Sequence, residues 1–94
     1  LHLDTVFFSA KGFSLRAGFT DAYLPEVEVK EQLLASGGKV VALIDSHKFG
    51  HEAFGRIATL GQIDILITDA PPPKAVREAL QNADVQLIVA EEAP

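Results

Sequence analysis

The sequence predicts an α/β domain organised on a mostly parallel, Rossmann-like sheet with flanking helices. Three observations carry that expectation. Segments of strand character alternate with helical ones, the order that gives parallel strands joined by right-handed crossovers. The runs VVALI (Val40–Ile44) and ILI (Ile65–Ile67) are apolar without a polar break, as in strands covered on both faces. The length, 94 residues, allows a single domain with a modest core.

The first strand is expected over Leu3–Phe8, LDTVFF. The segment SAKGFSLRAGFTDAY after it reads as a long irregular connection turning at Gly12 and Gly18, and connections of that length in a small domain usually have a function. Pro25 suits the first turn of a helix, good helix formers follow it, and Gly37-Gly38 stop it. The strand Val40–Ile44 comes next, then HEAFGRIATLG, for which no element is predicted. A third strand is expected over Asp64–Asp69. Three prolines, Pro71 to Pro73, then forbid a helix interior but preorganise a start, so a helix is expected from about Pro73 to about Gln81. The last strand is Val85–Ala90, followed by an acidic tail, EEAP.

Composition narrows the function. The chain has no cysteine, which removes disulfides, thiolate zinc sites and cysteine nucleophiles together and is compatible with the cytoplasm. Its net charge of −5, with eight scattered lysines and arginines, does not make a nucleic-acid surface. No apolar run approaches the roughly 20 residues needed to cross a bilayer, and no export signal is read at the start. No cofactor and no membrane contact are expected. The high apolar content, 48%, suggests that apolar surface is shed into a partner or a missing half.

Three polar groups follow strands: Ser9, Lys11 and Gly12 after the first; Asp45, Ser46, His47 and Lys48 after the second; Thr68 and Asp69 after the third. Taken singly, each reads as loop polarity or a turn cap. Parallel topology, however, gathers all three loops on one sheet edge, where ligands of such sheets bind. Lys48 suits an anionic group such as a phosphate, and Asp45 suits sugar hydroxyls or the orientation of that lysine.

The first helix adds two charges. With Val27 set at zero, the spacing of about 100° per residue places Leu34 near 340°, Lys30 near 300°, Glu26 near 260° and Leu33 near 240°. Glu26 and Lys30 therefore share the apolar arc, while Glu28 is expected in solvent. They form either an ordinary i,i+4 pair whose lysine snorkels past leucines, or a charged pair facing the same cleft as Lys48. A metal site from Asp45, His47 and His51 is disfavoured, because the histidine spacing needs a helix and Phe49-Gly50 interrupts one. A triad of adjacent Asp45, Ser46 and His47 is more strongly disfavoured, because neighbouring side chains in a turn seldom reach one another in the required relay. GFSLRAG matches neither phosphate-loop spacing.

Four pieces in one order are more specific: D-x-x-F at Asp4–Phe7, E-x-x-x-K at Glu26–Lys30, D-x-x-K-F-G at Asp45–Gly50, and I-D-x-L-I-T-D at Ile63–Asp69. With LDTVFFSAKGF, AGFT and VQLIVA in register, the chain resembles, over nearly its whole length, the second half of the sensor domain of DeoR-type bacterial transcriptional repressors. That domain is similar in fold to the group of ribose-phosphate isomerases, glucosamine-phosphate deaminases and CoA transferases.

The resemblance implies a regulator that binds a phosphorylated sugar or sugar derivative and transmits occupancy to a separate DNA-binding region, as a homo-oligomer. Carried over by position, Lys48 takes the phosphate and Asp4, Glu26, Lys30 and Asp45 line the cleft, joined by Lys11 and Gly12 from the first loop. Asp69 is expected to support the structure around them. The family's helix-turn-helix and upstream phosphate loop would precede Leu1, so residues 1–94 are expected to be a fragment of the sensor domain. Ser9 and Lys11 stand where the family often has glycine and aspartate. Two other readings are an isomerase or deaminase using Asp4, Glu26 and Lys48, and an oligomerisation module with an inert cleft.

Overall fold

The computed structural model describes residues 4–90. Leu3 and the acidic tail therefore lie outside the described residues. Four parallel strands form the main sheet: β1 (Thr5–Ser9), β4 (Lys39–Ile44), β6 (Ile65–Thr68) and β7 (Gln86–Val89), in the spatial order β1-β4-β6-β7. α1 (Leu24–Ala35) precedes β4, and α2 (Lys74–Asn82) joins β6 to β7. Each strand and helix of the expected α/β order is present.

The segment after β1 is not irregular. It forms a hairpin, β2 (Gly12–Ser14) and β3 (Gly18–Asp21), to which β5 (Gly55–Ala58) adds antiparallel, so that HEAFGRIATLG supplies the third strand of a second sheet. Phe13 and Phe19 face each other across the hairpin with their rings 4.7 Å apart, and both are fully buried. Phe8 meets Phe19 edge-on at 5.4 Å, which welds the second sheet to the first. Gly18 turns the chain at φ +75, a backbone that side chains resist. Burial of two phenylalanines outweighed the loop signal of the glycines around them.

One core serves both sheets. It unites Phe8, Val40, Ala42, Ile44 and Leu66 of the main sheet with Phe13, Phe19 and Ile57 of the second, Val27 of α1, and Val76 and Leu80 of α2. Along β1 and β4 the alternate residues behave differently: Phe7 is 59% and Leu43 41% exposed. Strands added in sequence order by right-handed crossovers keep their connections on one face. On the opposite face the described residues leave Phe7, Leu43 and Ile88 exposed and Ile67 partly so, while Val41 between them is buried by its neighbours.

Candidate functional site

Parallel alignment brings the ends of β1 and β4 to one edge, with Ser9 opposite Leu43. A cavity of about 300 Å³ opens there, between the end of β1, the end of β3 and the first turns of α1. Its walls include Ser9, Lys11, Asp21, Tyr23, Glu26 and Lys30. Helical side chains lean toward the amino end of their helix, so Lys30, a turn and a half into α1, reaches back to the sheet edge.

Lys30 Nζ donates to Asp21 Oδ2 at 2.7 Å and to the Ser9 carbonyl at 2.6 Å, and stands 3.7 Å from Glu26 Oε2. Asp21 Oδ1 accepts from the Ala22 amide at 2.9 Å. Burial pushes the Asp21 carboxyl upward, but the Lys30 hydrogen bond, the Ala22 amide and the charges of Lys30 and Lys11 outweigh it and hold the group below the ordinary aspartate range. The Asp21 carboxylate is thus buried and hydrogen-bonded from two sides, and its partner Lys30 is partly buried. Of the two readings of Glu26 and Lys30, the lysine is the inward-facing member. Glu26 is more than half exposed.

A second polar group lies at the ends of β4 and β6. Asp45 Oδ1 accepts from the His47 amide at 2.9 Å and its carbonyl accepts from the Lys48 amide at 2.9 Å, which starts the helical turn Ser46–Lys48. Asp69 accepts from the Ser46 amide at 2.6 Å and its hydroxyl at 3.1 Å, tying the two strand ends together. The Ser46 amide is the main reason the Asp69 carboxyl sits below its usual range. Lys48 belongs to this turn, and neither it nor Asp45 is among the residues lining the 300 Å³ cavity.

Of the residues singled out in the sequence, Lys11, Glu26 and Lys30 line one cavity. Gly12 is adjacent and buried, and its contribution is steric: a Cβ there would strike the His51 carbonyl, where the loop after β4 crosses the hairpin. Asp4 is a correction. It precedes β1, and its carbonyl accepts from the Lys39 amide at the amino end of the sheet, opposite the edge where Ser9 lies. Five residues of extended chain put it about 16 Å from that edge. Asp21 and Tyr23 were missed. Nothing local marks an aspartate nine residues before a lysine as its partner; only the docking of α1 against β3 does.

The comparisons with known proteins agree with this architecture. Residues 1–70 match the family model described as the DeoR C terminal sensor domain. The HTH-type transcriptional regulator GolR of Listeria innocua is 40% identical over 91 residues, covering 97% of this chain and 36% of that protein. The HTH-type transcriptional repressor GlcR of Bacillus subtilis is 34% identical over 91 residues, with 97% and 35% covered. The glycerol-3-phosphate regulon repressor of Escherichia coli is 32% identical over 62 residues, with 66% and 25% covered. The chain therefore spans about a third of the length of the first two relatives. It belongs to the family of DeoR C-terminal sensor domains.

Proposed function

We propose that this chain senses a phosphorylated sugar or sugar derivative and controls DNA binding by a separate helix-turn-helix, as part of a cytoplasmic, homo-oligomeric repressor. The observation that carries the reading is the cavity at the carboxyl edge of the sheet, in which the pair of Lys30 with the buried Asp21, Glu26 and Lys11 offer charge and hydrogen bonds of both signs. Acidic oxygens suit sugar hydroxyls, and an ammonium suits a phosphate. The printed name of one relative, a glycerol-3-phosphate regulon repressor, supports an effector of this class. The net charge of −5 supports leaving DNA contact to another region.

A sugar-phosphate isomerase is the weaker reading. Its acid, base and phosphate clamp were to be Asp4, Glu26 and Lys48. Asp4 lies at the opposite end of its strand, and Lys48 is outside the cavity that holds Glu26. The deciding experiment is thermal unfolding of the full chain with a panel of phosphorylated and unphosphorylated sugars and polyols. A ligand at 100 times its Kd stabilises by about 2.7 kcal/mol. Stabilisation confined to phosphorylated compounds, without turnover, supports sensing; turnover, or no stabilisation by any of them, refutes it.

A further inference from the structure

Three lysines stand on the loops and helix of this edge, and they differ in what they are free to do. Lys30 is committed: its ammonium is shared among the Ser9 carbonyl, the buried Asp21 carboxylate and Glu26. Drawing it toward a ligand would strand a buried negative charge. Lys48 does not line the cavity. Lys11 does line it, is exposed, and forms no ion pair among the described residues. Its backbone is pinned by the 2.9 Å bond from its amide to the Thr20 carbonyl, so the base of an exposed side chain is fixed at the cavity wall.

Charge balance sharpens the distinction. The cavity walls carry two carboxylates, Asp21 and Glu26, and two ammonium groups, Lys30 and Lys11. Without Lys11 the walls would be net negative and would repel an anion. We infer that Lys11 is the residue that admits and holds the effector's anionic group, whereas Lys30 is a brace that keeps Asp21 and the cavity wall in place. The ligand class follows from the size: about 300 Å³ lies at the small end of small-molecule sites, which fits a compact phosphate ester with its phosphate on Lys11 and its hydroxyls on Glu26. The lowered Asp21 carboxyl, to which Lys11 contributes, agrees with an ammonium close to that wall.

This inference rests on the sensor reading, and the experiment separates the two. The full chain is titrated calorimetrically with glycerol phosphate and glucose phosphate, with free glycerol, glucose and inorganic phosphate as controls. The variants are Lys11→Ala, Lys11→Arg and Lys48→Ala, each checked for native circular dichroism. Expected is a loss of about 10- to 100-fold in affinity for the ester in Lys11→Ala, as for one charge-assisted contact, recovery in Lys11→Arg, and no change in Lys48→Ala. Ester binding that survives Lys11→Ala, or that fails instead in Lys48→Ala, overturns the role of Lys11 while leaving the sensor reading intact. If the unaltered chain binds neither ester, the reading and the inference fall together.

Discussion

The Lys30 ammonium lies 2.7 Å from the Asp21 carboxylate, with side chains 15% and 3% exposed, and the same ammonium holds the carbonyl that ends β1. One lysine thus joins α1 to the ends of two strands in two different sheets. Removing one partner of a buried pair leaves the other uncompensated, whereas removing both does not. Lys30→Met should cost about 3 kcal/mol, and Lys30→Met with Asp21→Leu appreciably less than the sum of the single losses. Urea denaturation of the double-mutant cycle measures this, and additive losses would show that the two groups are not coupled.

The same carboxylate predicts an acid-sensitive fold. The Asp21 group is held below its unfolded value, so its contribution is present above the unfolded range and is lost as pH falls through the folded one. Asp69 is lowered in the same direction, but the group is exposed and solvent screening leaves its share of the acid limb small. The melting temperature should therefore decline as pH falls below about 4, the ordinary aspartate value, and Asp21→Asn should flatten that decline. An acid limb unchanged in Asp21→Asn would assign the sensitivity to other groups.

Two glycines have separate reasons to be glycine. At Gly18 the backbone is left-handed and a Cβ would lie 2.5 Å from the Ala58 carbonyl, whereas at Gly12 the objection is steric alone, from the His51 carbonyl and, at 3.1 Å, the Thr20 hydroxyl. Gly18→Ala should cost the more, about 2–3 kcal/mol from strain and collision combined. Gly12→Ala should instead push the loop around His51 away from β2. Chemical denaturation ranks the two, and amide exchange at Gly50, bonded at 2.7 Å to the Phe13 carbonyl, reports the loop displacement.

Asp69 ties the two central strands of the main sheet at their carboxyl ends through Ser46. Asp69→Ala should leave global unfolding nearly unchanged, because the group is exposed, yet accelerate hydrogen exchange of the Ser46 amide. Unchanged exchange would show that the backbone turn holds without the carboxylate.

Much of the main sheet was legible because its causes are local. VVALI and ILIT are apolar runs of strand length, Gly37-Gly38 stop α1, and the prolines before Lys74 fix where α2 begins. The second sheet was not legible. Its strands are three and four residues long and contain glycine, and they form because Phe13 buries against Phe19 and Phe19 against Phe8 from another sheet. Asp4 shows the reverse error: a polar residue next to a strand, placed in the cleft by motif resemblance, sits at the wrong end once strand direction is known.

The sequence by itself determined the family and the parallel character of the main sheet, since periodicity and motif spacing are properties of neighbouring residues; of the arc expected on α1, Lys30 turns inward while Glu26 and Leu33 are exposed. Only the tertiary structure decided which charges meet. Asp21 and Lys30 belong to different elements, and their pairing depends on how α1 docks on the second sheet, where Val27 packs against Gly55 of β5. Packing of apolar surface sets that position, and the ionic contacts of the cavity follow from it.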